Sequence, residues 1–317
     1  TAVRDHPELV QRYYQTSVDP SYNRFTALHG AFWSGGSFVY VPQGVDVTLP
    51  LQASFWAQRP GSAIFPHSLI VTERDSRVTY IDQYLSSDVD NGVQTLNDAV
   101  VELRPHAGSE IRYISLQQLG KGAWNFGTER ARLDRDTKVS FLIAALGAQF
   151  SKTNADTVLE GQGSETEMLG FYFADHDQFV DHHTLQDHVA PHTTSDLLFK
   201  GALTDSSRSV FAGLIRVHEG AQKTNAYQNN RNLLLSSAAR ANSDPKLEIG
   251  ANDVRCTHGA TAGPIDEMQL FYLMCRGIPR VQAERLVIEG FFDPVLQRVP
   301  LHGVRERLRA SIDEKVV

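Results

Sequence analysis

The sequence predicts a mainly β protein with helical segments at both ends. Between residues 34 and 262, turns rich in Asp, Gly or Ser repeatedly precede short β-branched or aromatic runs. Three of four intervals between the clearest turns are about 30 residues, and one is about 40. No strand-length run precedes a convincing amphipathic helix, which argues against alternating β-α units. This spacing leaves a β-sandwich, a propeller and a β-solenoid open.

Residues 1–33 predict a short helical N-terminal segment. Four apolar residues between Leu9 and Tyr14 follow one stripe at helical spacing. A second short helix is predicted from Asn23 to Phe32. A Gly-Gly pair then breaks the helical pattern before the first predicted strand, residues 37–41. The sequence begins at Thr1 without a methionine, which is compatible with a truncated N-terminal segment.

Residues 263–317 predict a helical C-terminal subdomain of three helices. The first is predicted from Pro264, which suits a first helical turn, to Gly277, and the second from Pro279 to Gly290. The third is amphipathic between Leu301 and Ile312. Three such helices are too few to form an independent core. We therefore expect them either to pack on an end of the β region or to bind a partner protein.

Composition limits the possible partners. The net charge of −7 argues against a nucleic-acid partner, which would need a basic surface. No apolar run approaches the roughly 20 residues that span a bilayer, so no membrane partner is predicted. Two cysteines cannot form a disulfide framework, which favours a cytoplasmic protein. No phosphate-binding P-loop or Gly-x-Ser-x-Gly motif occurs, and we predict that the chain is not an enzyme.

A cysteine and a histidine stand two positions apart where the β region ends. If Cys256 and His258 lie on a strand, their side chains point to the same face. A thiolate and an imidazole form half of a soft-metal site, so further ligands must come from elsewhere in the fold or from a partner chain. The alternative is a buried thiol beside a hydrogen-bonded histidine. The second cysteine, Cys275, is predicted to be buried within the first C-terminal helix.

The densest histidine cluster offers a second candidate metal site. Imidazole and the interleaved carboxylates are ligands for zinc and ferrous iron. In a strand, however, adjacent histidines face opposite sides, so the five histidines of this cluster cannot all converge on one metal ion. We therefore favour structural histidines over a metal site here. The cluster comprises His176, His182, His183, His188 and His192.

Several sequence blocks occur together in the order of one known family. The most specific is RCTHGAT at residues 255–261, followed by IDE at 265–267, QLFYL at 269–273 and RGI at 276–278. WSGGSFVYVP at 33–42 stands upstream, and ERL at 284–286 and GFF at 290–292 stand downstream. Together these blocks resemble the SufD branch of the SufB/SufD family, which belongs to the SUF iron–sulfur cluster assembly system. The resemblance runs from about residue 25 to about residue 300.

This resemblance implies a right-handed parallel β-helix over residues 34–262 and a non-enzymatic scaffold function. Family members pair with a SufB-like homologue through the ends of their β-helices and bind a SufC-like ATPase through C-terminal helices. His258 matches the histidine expected to contribute to cluster formation at the SufB interface, and Cys256 matches its neighbouring cysteine. No tightly bound cofactor is implied, only a transient iron–sulfur cluster at that interface. A homodimer of the isolated chain remains open.

The same resemblance assigns residues 264–300 to ATPase docking. The candidate contact residues are Leu270, Phe271, Tyr272, Leu273 and Arg276.

Two alternatives differ from this interpretation. A SufB-type subunit would carry His-Glu-Ala-Thr-Thr where this chain has HGATA at 258–262, and it needs a cysteine one strand earlier, which residues 232–249 lack. A β-solenoid metalloenzyme would instead use the histidines between His176 and His192.

Overall fold

The computed structural model describes residues 2–59, 61–87 and 92–316 and confirms a mainly β architecture with helices at both ends. Thr1 and Val317, the outer limits of the predicted terminal segments, lie outside the described residues. The strands are β1 (Gly35–Val41), β2 (Leu51–Ala57), β3 (Ala63–Ile64), β4 (Pro66–Thr72), β5 (Arg77–Ser86), β6 (Thr95–Pro105), β7 (Glu110–Gln118), β8 (Ala123–Leu133), β9 (Lys138–Ala145), β10 (Phe150–Leu159), β11 (Glu165–Ala174), β12 (Phe179–His188), β13 (Thr194–Leu203), β14 (Arg208–Val217), β15 (Asn225–Leu234), β16 (Arg240–Ile249) and β17 (Arg255–Pro264).

The strands form two parallel sheets that stack coil upon coil. Sheet A has the order β1-β4-β6-β8-β10-β12-β14-β16, with β3 paired to β6. Sheet B has the order β17-β15-β13-β11-β9-β7-β5-β2. From β4 onward, consecutive strands alternate between the sheets, so each coil contributes one strand to each sheet. The fold is a β-solenoid of about eight coils, which resolves the choice that strand spacing left open.

The main core lies between the sheets, in the lumen of the solenoid. Along each strand, alternate side chains point inward, and large residues from successive coils stack on one another. Tyr113 and Phe141 contact edge to face at 5.9 Å, and Phe199 lies 5.4 Å from Phe211. The buried apolar positions thus repeat with each coil, which produces the long-range regularity in the sequence.

The Asp- and Gly-rich turns are explained by a conformation repeated from coil to coil. At six successive turns from sheet A to sheet B, from β4–β5 to β14–β15, one residue adopts a left-handed backbone, which Gly and Asp tolerate best. At five of these turns its N–H donates to a carbonyl in the next coil's turn, as from Asp75 to Ala107 and from Asp136 to Gln162. The left-handed residues are Asp75, Gly108, Asp136, Gly163, His192 and Lys223, with φ between 55° and 75°.

The N-terminal helices pack on the outer face of sheet A. They are α1 (Ala2–Asp5), α2 (Pro7–Tyr13) and α3 (Arg24–Phe32), and Asn23 caps α3 with its side-chain oxygen. Tyr13 is buried against Leu69 and Val71. The predicted helix from Asn23 to Phe32 therefore exists, with Asn23 as its cap.

The C-terminal helices correct two predicted boundaries. They are α4 (Glu267–Cys275), α5 (Arg280–Leu296) and α6 (His302–Lys315). Pro264 ends β17 and does not open a helix, because Asp266 supplies the cap for α4. Gly290 does not close the second helix, and α5 continues because residues beyond it are buried on the solenoid. Gly277 follows the end of α4 with φ 82°, which agrees with the prediction that this glycine ends the first C-terminal helix.

Helices α5 and α6 lie along the outer face of sheet B and leave the end of the solenoid uncovered. Phe292 is fully buried, with its ring 4.3 Å from that of Phe171. Leu308 and Ile312 of α6 join the same apolar cluster. Lys315 donates to the carbonyl of Phe173 at 2.6 Å. None of the helices in the described ranges has the length and hydropathy of a membrane span.

Candidate interface site at the last coil

Cys256 and His258 lie on β17, the end strand of sheet B. In the pairing with β15, Cys256 is opposite Ala226 and His258 is opposite Gln228. Ala226 and Gln228 are both buried in the lumen, and residues in parallel register share a face. The thiol and the imidazole therefore sit on the lumen side of the last coil, where no further coil within the described residues covers them.

The two side chains differ in their surroundings. Cys256 is half-buried beside Ala226 and Ala251, and burial raises the pKa of its thiol. His258 is exposed, and no described residue forms a hydrogen bond with its ring. A protonated thiol must lose its proton to bind a metal, whereas a neutral imidazole can ligate directly. His258 is thus the more readily available ligand of the pair.

The pair alone does not complete a metal shell. A soft-metal site of the tetrahedral kind needs four ligands, and these residues supply two. Across residues 2–59, 61–87 and 92–316, no group of three or more His, Cys, Asp or Glu side chains is arranged to hold a metal ion.

The histidines between residues 176 and 192 are dispersed by the solenoid. His182 points into the lumen, 5.1 Å from the Tyr172 ring, and His183 points outward to Asp181 at 3.0 Å. The predicted separation of these two neighbours is confirmed. Burial lowers the pKa of both His182 and His188 to about 4.

The other histidines of this cluster have structural positions. His188 contacts the hydroxyls of Thr193 at 2.7 Å and Ser195 at 2.8 Å. His176 and His192 occupy left-handed turn positions with φ of 52° and 58°. The five imidazoles therefore do not meet at one point.

Helix α4 presents an exposed apolar surface. The side chains of Met268, Phe271 and Tyr272 are 72%, 62% and 58% exposed. Arg276 stacks over the Tyr272 ring at 5.1 Å. We call this group, Met268, Phe271, Tyr272 and Arg276, the α4 surface.

Two residues near the α4 surface differ from expectation. Leu270, a candidate contact for the ATPase, is only 1% exposed and packs within its own chain. Leu273, another candidate contact, is half-buried. The predicted burial of Cys275 is wrong, because this thiol is exposed at the end of α4. Helical spacing over the nine residues of α4 could not show which side of the helix packs toward α5.

The sequence analysis missed a polar layer inside the last coils. Asn232 accepts a hydrogen bond from the Tyr172 hydroxyl and donates to Asn230 at 2.8 Å. Gln228 and Asn230 are fully buried. The available signal was three amides at alternate positions of β15, where a solenoid strand would otherwise carry apolar residues.

Comparisons with known families and known proteins all match the same family. A family model described as the SufBD core domain of SUF system FeS cluster assembly matches residues 55–291. A second, the SufBD protein N-terminal region, matches residues 1–53. The iron–sulfur cluster assembly protein SufD of Bacillus subtilis is 34% identical over 318 residues, covering 100% of this chain and 72% of that protein.

Staphylococcal relatives are more distant. An iron–sulfur cluster assembly SufBD family protein of Staphylococcus saprophyticus is 29% identical over 311 residues, and one of Staphylococcus aureus is 28% identical. Each alignment covers 98% of this chain and 66% of the relative. The chain thus spans roughly two thirds of the staphylococcal proteins that it matches.

Proposed function

Because the chain belongs to the SufBD family of the SUF iron–sulfur cluster assembly system, we propose that it acts as a SufD-type scaffold subunit without catalytic activity of its own. In this proposal it pairs with a SufB-like homologue, docks a SufC-like ATPase and contributes ligands to a nascent cluster. The cluster is cargo, held transiently at the interface. The predicted cytoplasmic location remains a prediction.

The observation that carries the proposal is the position of His258. Its imidazole is exposed on the last strand, has no hydrogen-bonding partner among the described residues, and shares a face with Cys256. By contrast, His182 and His188 are buried in the lumen, where His182 packs on Tyr172 and His188 contacts Thr193. An unpaired imidazole beside a thiol instead supports a ligand that a second chain completes.

The solenoid end offers the surface for a SufB-like partner. β16 and β17 are the terminal strands of sheets A and B, and each pairs with one neighbour within the described chain. Unpaired backbone groups on such edges are suited to pairing with strands of another protein. Helices α5 and α6 pack along the side of the solenoid and leave this end accessible.

The α4 surface supports docking of a SufC-like ATPase. Exposed aromatic and methionine side chains beside an arginine have the composition of interface anchors. Because α4 lies just beyond the last coil in sequence, one chain end can bind the homologue and the ATPase through separate elements.

The test is the iron and sulfide content of the assembled complex carrying His258→Ala. We expect the fold and both subunit contacts to persist while cluster content falls sharply, because alanine cannot ligate iron. Cys256→Ser should be milder if the essential thiolates come from the partner. His183→Ala is the matched control, since His183 is a partly exposed histidine on the outer face of sheet A. Full cluster content with His258→Ala would exclude this role.

The SufB-type and metalloenzyme alternatives have less support. The similarity to Bacillus subtilis SufD, at 34% identity, favours a SufD-type subunit. The dispersal of the histidines between residues 176 and 192 supplies no geometry for a metal enzyme among the described residues.

A further inference from the structure

Gln228 occupies an unusual position directly below His258. The two residues are register partners on β15 and β17, so their side chains extend from the same face of sheet B. Gln228 is completely buried, yet neither its Nε2 nor its Oε1 has a hydrogen-bonding partner within the described residues. A buried amide without a partner is costly, and such groups are uncommon in folded proteins.

The fold makes room for this amide. The Gln228 side chain crosses the lumen to β14 of sheet A, where it lies against Gly213. A Cβ atom at position 213 would come within 2.4 Å of the Gln228 nitrogen. Glycine at this position therefore permits the carboxamide to sit in the middle of the lumen, one coil below the exposed imidazole.

Two neighbouring side chains bring further unpaired polar atoms into the same part of the lumen. Thr184 is the register partner of Gly213 and is 5% exposed, and its hydroxyl has no partner among the described residues. Gln186 donates from Nε2 to Ser195 at 2.7 Å, while its Oε1 is left unpaired. Both residues stand on β12, one coil below Gln228 and on the side away from β17, and none of their unpaired atoms pairs with the Gln228 carboxamide.

We propose that Gln228 is a positioning residue for His258. With the imidazole turned inward over the coil below, the otherwise unpaired carboxamide hydrogen-bonds one ring nitrogen, fixes the tautomer and leaves the other nitrogen directed toward a ligand. Partners behind a ligating histidine commonly fix its ring in this way. The link to cluster assembly rests on the proposed function, whereas the fixed tautomer does not.

The test uses the full chain with ¹⁵N-labelled histidine and the variant Gln228→Met, which keeps the side-chain length and removes the amide. We expect the Nδ1 and Nε2 shifts of His258 to show one dominant tautomer in the unmodified chain and a mixture in the variant. Gln117→Met is the matched control. Gln117 is also buried in the lumen, but it pairs with Gly147 and Leu119, far from His258. This control should leave the His258 shifts unchanged.

A second variant keeps the inference testable if Gln228→Met does not fold. Gly213→Ala retains the carboxamide but displaces it, and should also mix the tautomers. Unchanged His258 shifts in the folded variants would overturn the positioning role.

A functional measurement separates this inference from the proposed function. In the complex reconstituted with ferrous iron and inorganic sulfide, Gln228→Met should slow cluster formation about tenfold. If Gln228→Met mixes the tautomers while His258→Ala retains full cluster content, the positioning role stands and the proposed function fails. If His258→Ala abolishes the cluster while Gln228→Met changes neither tautomer nor rate, the function stands and the positioning role is overturned.

Discussion

The ammonium group of Lys200 on β13 donates a hydrogen bond to the backbone carbonyl of Phe291 in α5 and lies 4.5 Å from the centre of the Phe291 ring. The lysine thus attaches the longest C-terminal helix to the outer face of sheet B. Burial lowers the pKa of Lys200 to about 8. A cation held under a helix in this way costs desolvation free energy, which the hydrogen bond and the ring contact offset only in part.

We predict that Lys200 makes the stability of the protein pH-dependent above neutrality. Between about pH 8 and the usual lysine pKa near 10.4, the unfolded chain binds more protons at this group than the folded chain. Its contribution to the unfolding free energy should therefore rise with pH, by less than the roughly 1.4 kcal/mol per pH unit that one group can supply. Urea denaturation of Lys200→Met and the unmodified chain across this range measures the difference. Parallel pH profiles would contradict the prediction.

Charge introduced on the α4 surface should abolish ATPase binding without unfolding the chain. Phe271 is 62% exposed, so Phe271→Glu removes an interface anchor and leaves the chain's own core intact. Binding can be measured by calorimetry with the purified SufC-like ATPase. Val45→Glu, a substitution at another exposed apolar residue, is the control.

Leu270 provides the opposite comparison on the same helix. Because its side chain is 1% exposed, Leu270→Ala should lower stability by about 2–5 kcal/mol. A Phe271→Glu protein with normal ATPase affinity and a lowered melting temperature would show that the α4 surface has a structural role.

Replacement of His182 should improve tolerance to acid. Because its pKa is lowered to about 4, the unfolded chain binds more protons there between about pH 6.5 and 4, and stability falls as pH drops through that window. His182→Phe keeps the packing against Tyr172 and Phe199 and removes this penalty. The acid-unfolding midpoint, followed by circular dichroism, should shift to lower pH.

His183→Phe is the control for that experiment, because His183 faces outward and pairs with Asp181. We also expect His182→Phe to leave cluster assembly intact. Loss of assembly in a folded His182→Phe protein would show that the buried histidine has a functional role.

Glu102 should determine whether the N-terminal helices stay attached to sheet A. Its buried carboxylate accepts backbone hydrogen bonds from Gln15, Ser17 and Val18 and lies 3.0 Å from Nε2 of His67. Hydrogen bonds to a charged group contribute about 1.5–3 kcal/mol each. Glu102→Gln should therefore speed amide exchange in residues 14–18, measured by mass spectrometry.

The control for that variant is Glu110→Gln, which removes a partly exposed carboxylate paired with Arg112 on sheet B. Equal exchange rates in residues 14–18 for both variants would mean that the Glu102 contacts do not hold the segment.

Local patterns in the sequence allowed correct predictions of several features. The left-handed turn residues select Asp and Gly, so the repeat of turn and strand was visible before the sheets were known. The shared face of Cys256 and His258 likewise follows from strand alternation. The predicted end of the second C-terminal helix at Gly290 was wrong. A helix continues past a glycine when the residues beyond the glycine are buried, as they are in α5.

By itself, the sequence determined the mainly β class, the helical ends and the shared face of Cys256 and His258, because strand alternation, turn conformation and helix spacing act over a few neighbouring residues. The packing of distant segments decided the rest: that α5 and α6 cover sheet B, that Phe271 is exposed while Leu270 is not, and that Gln228 lies against Gly213. These relationships join residues on different coils or on different sides of the lumen. They arise from the stacking of the coils and the burial of one element on another, which no local periodicity encodes.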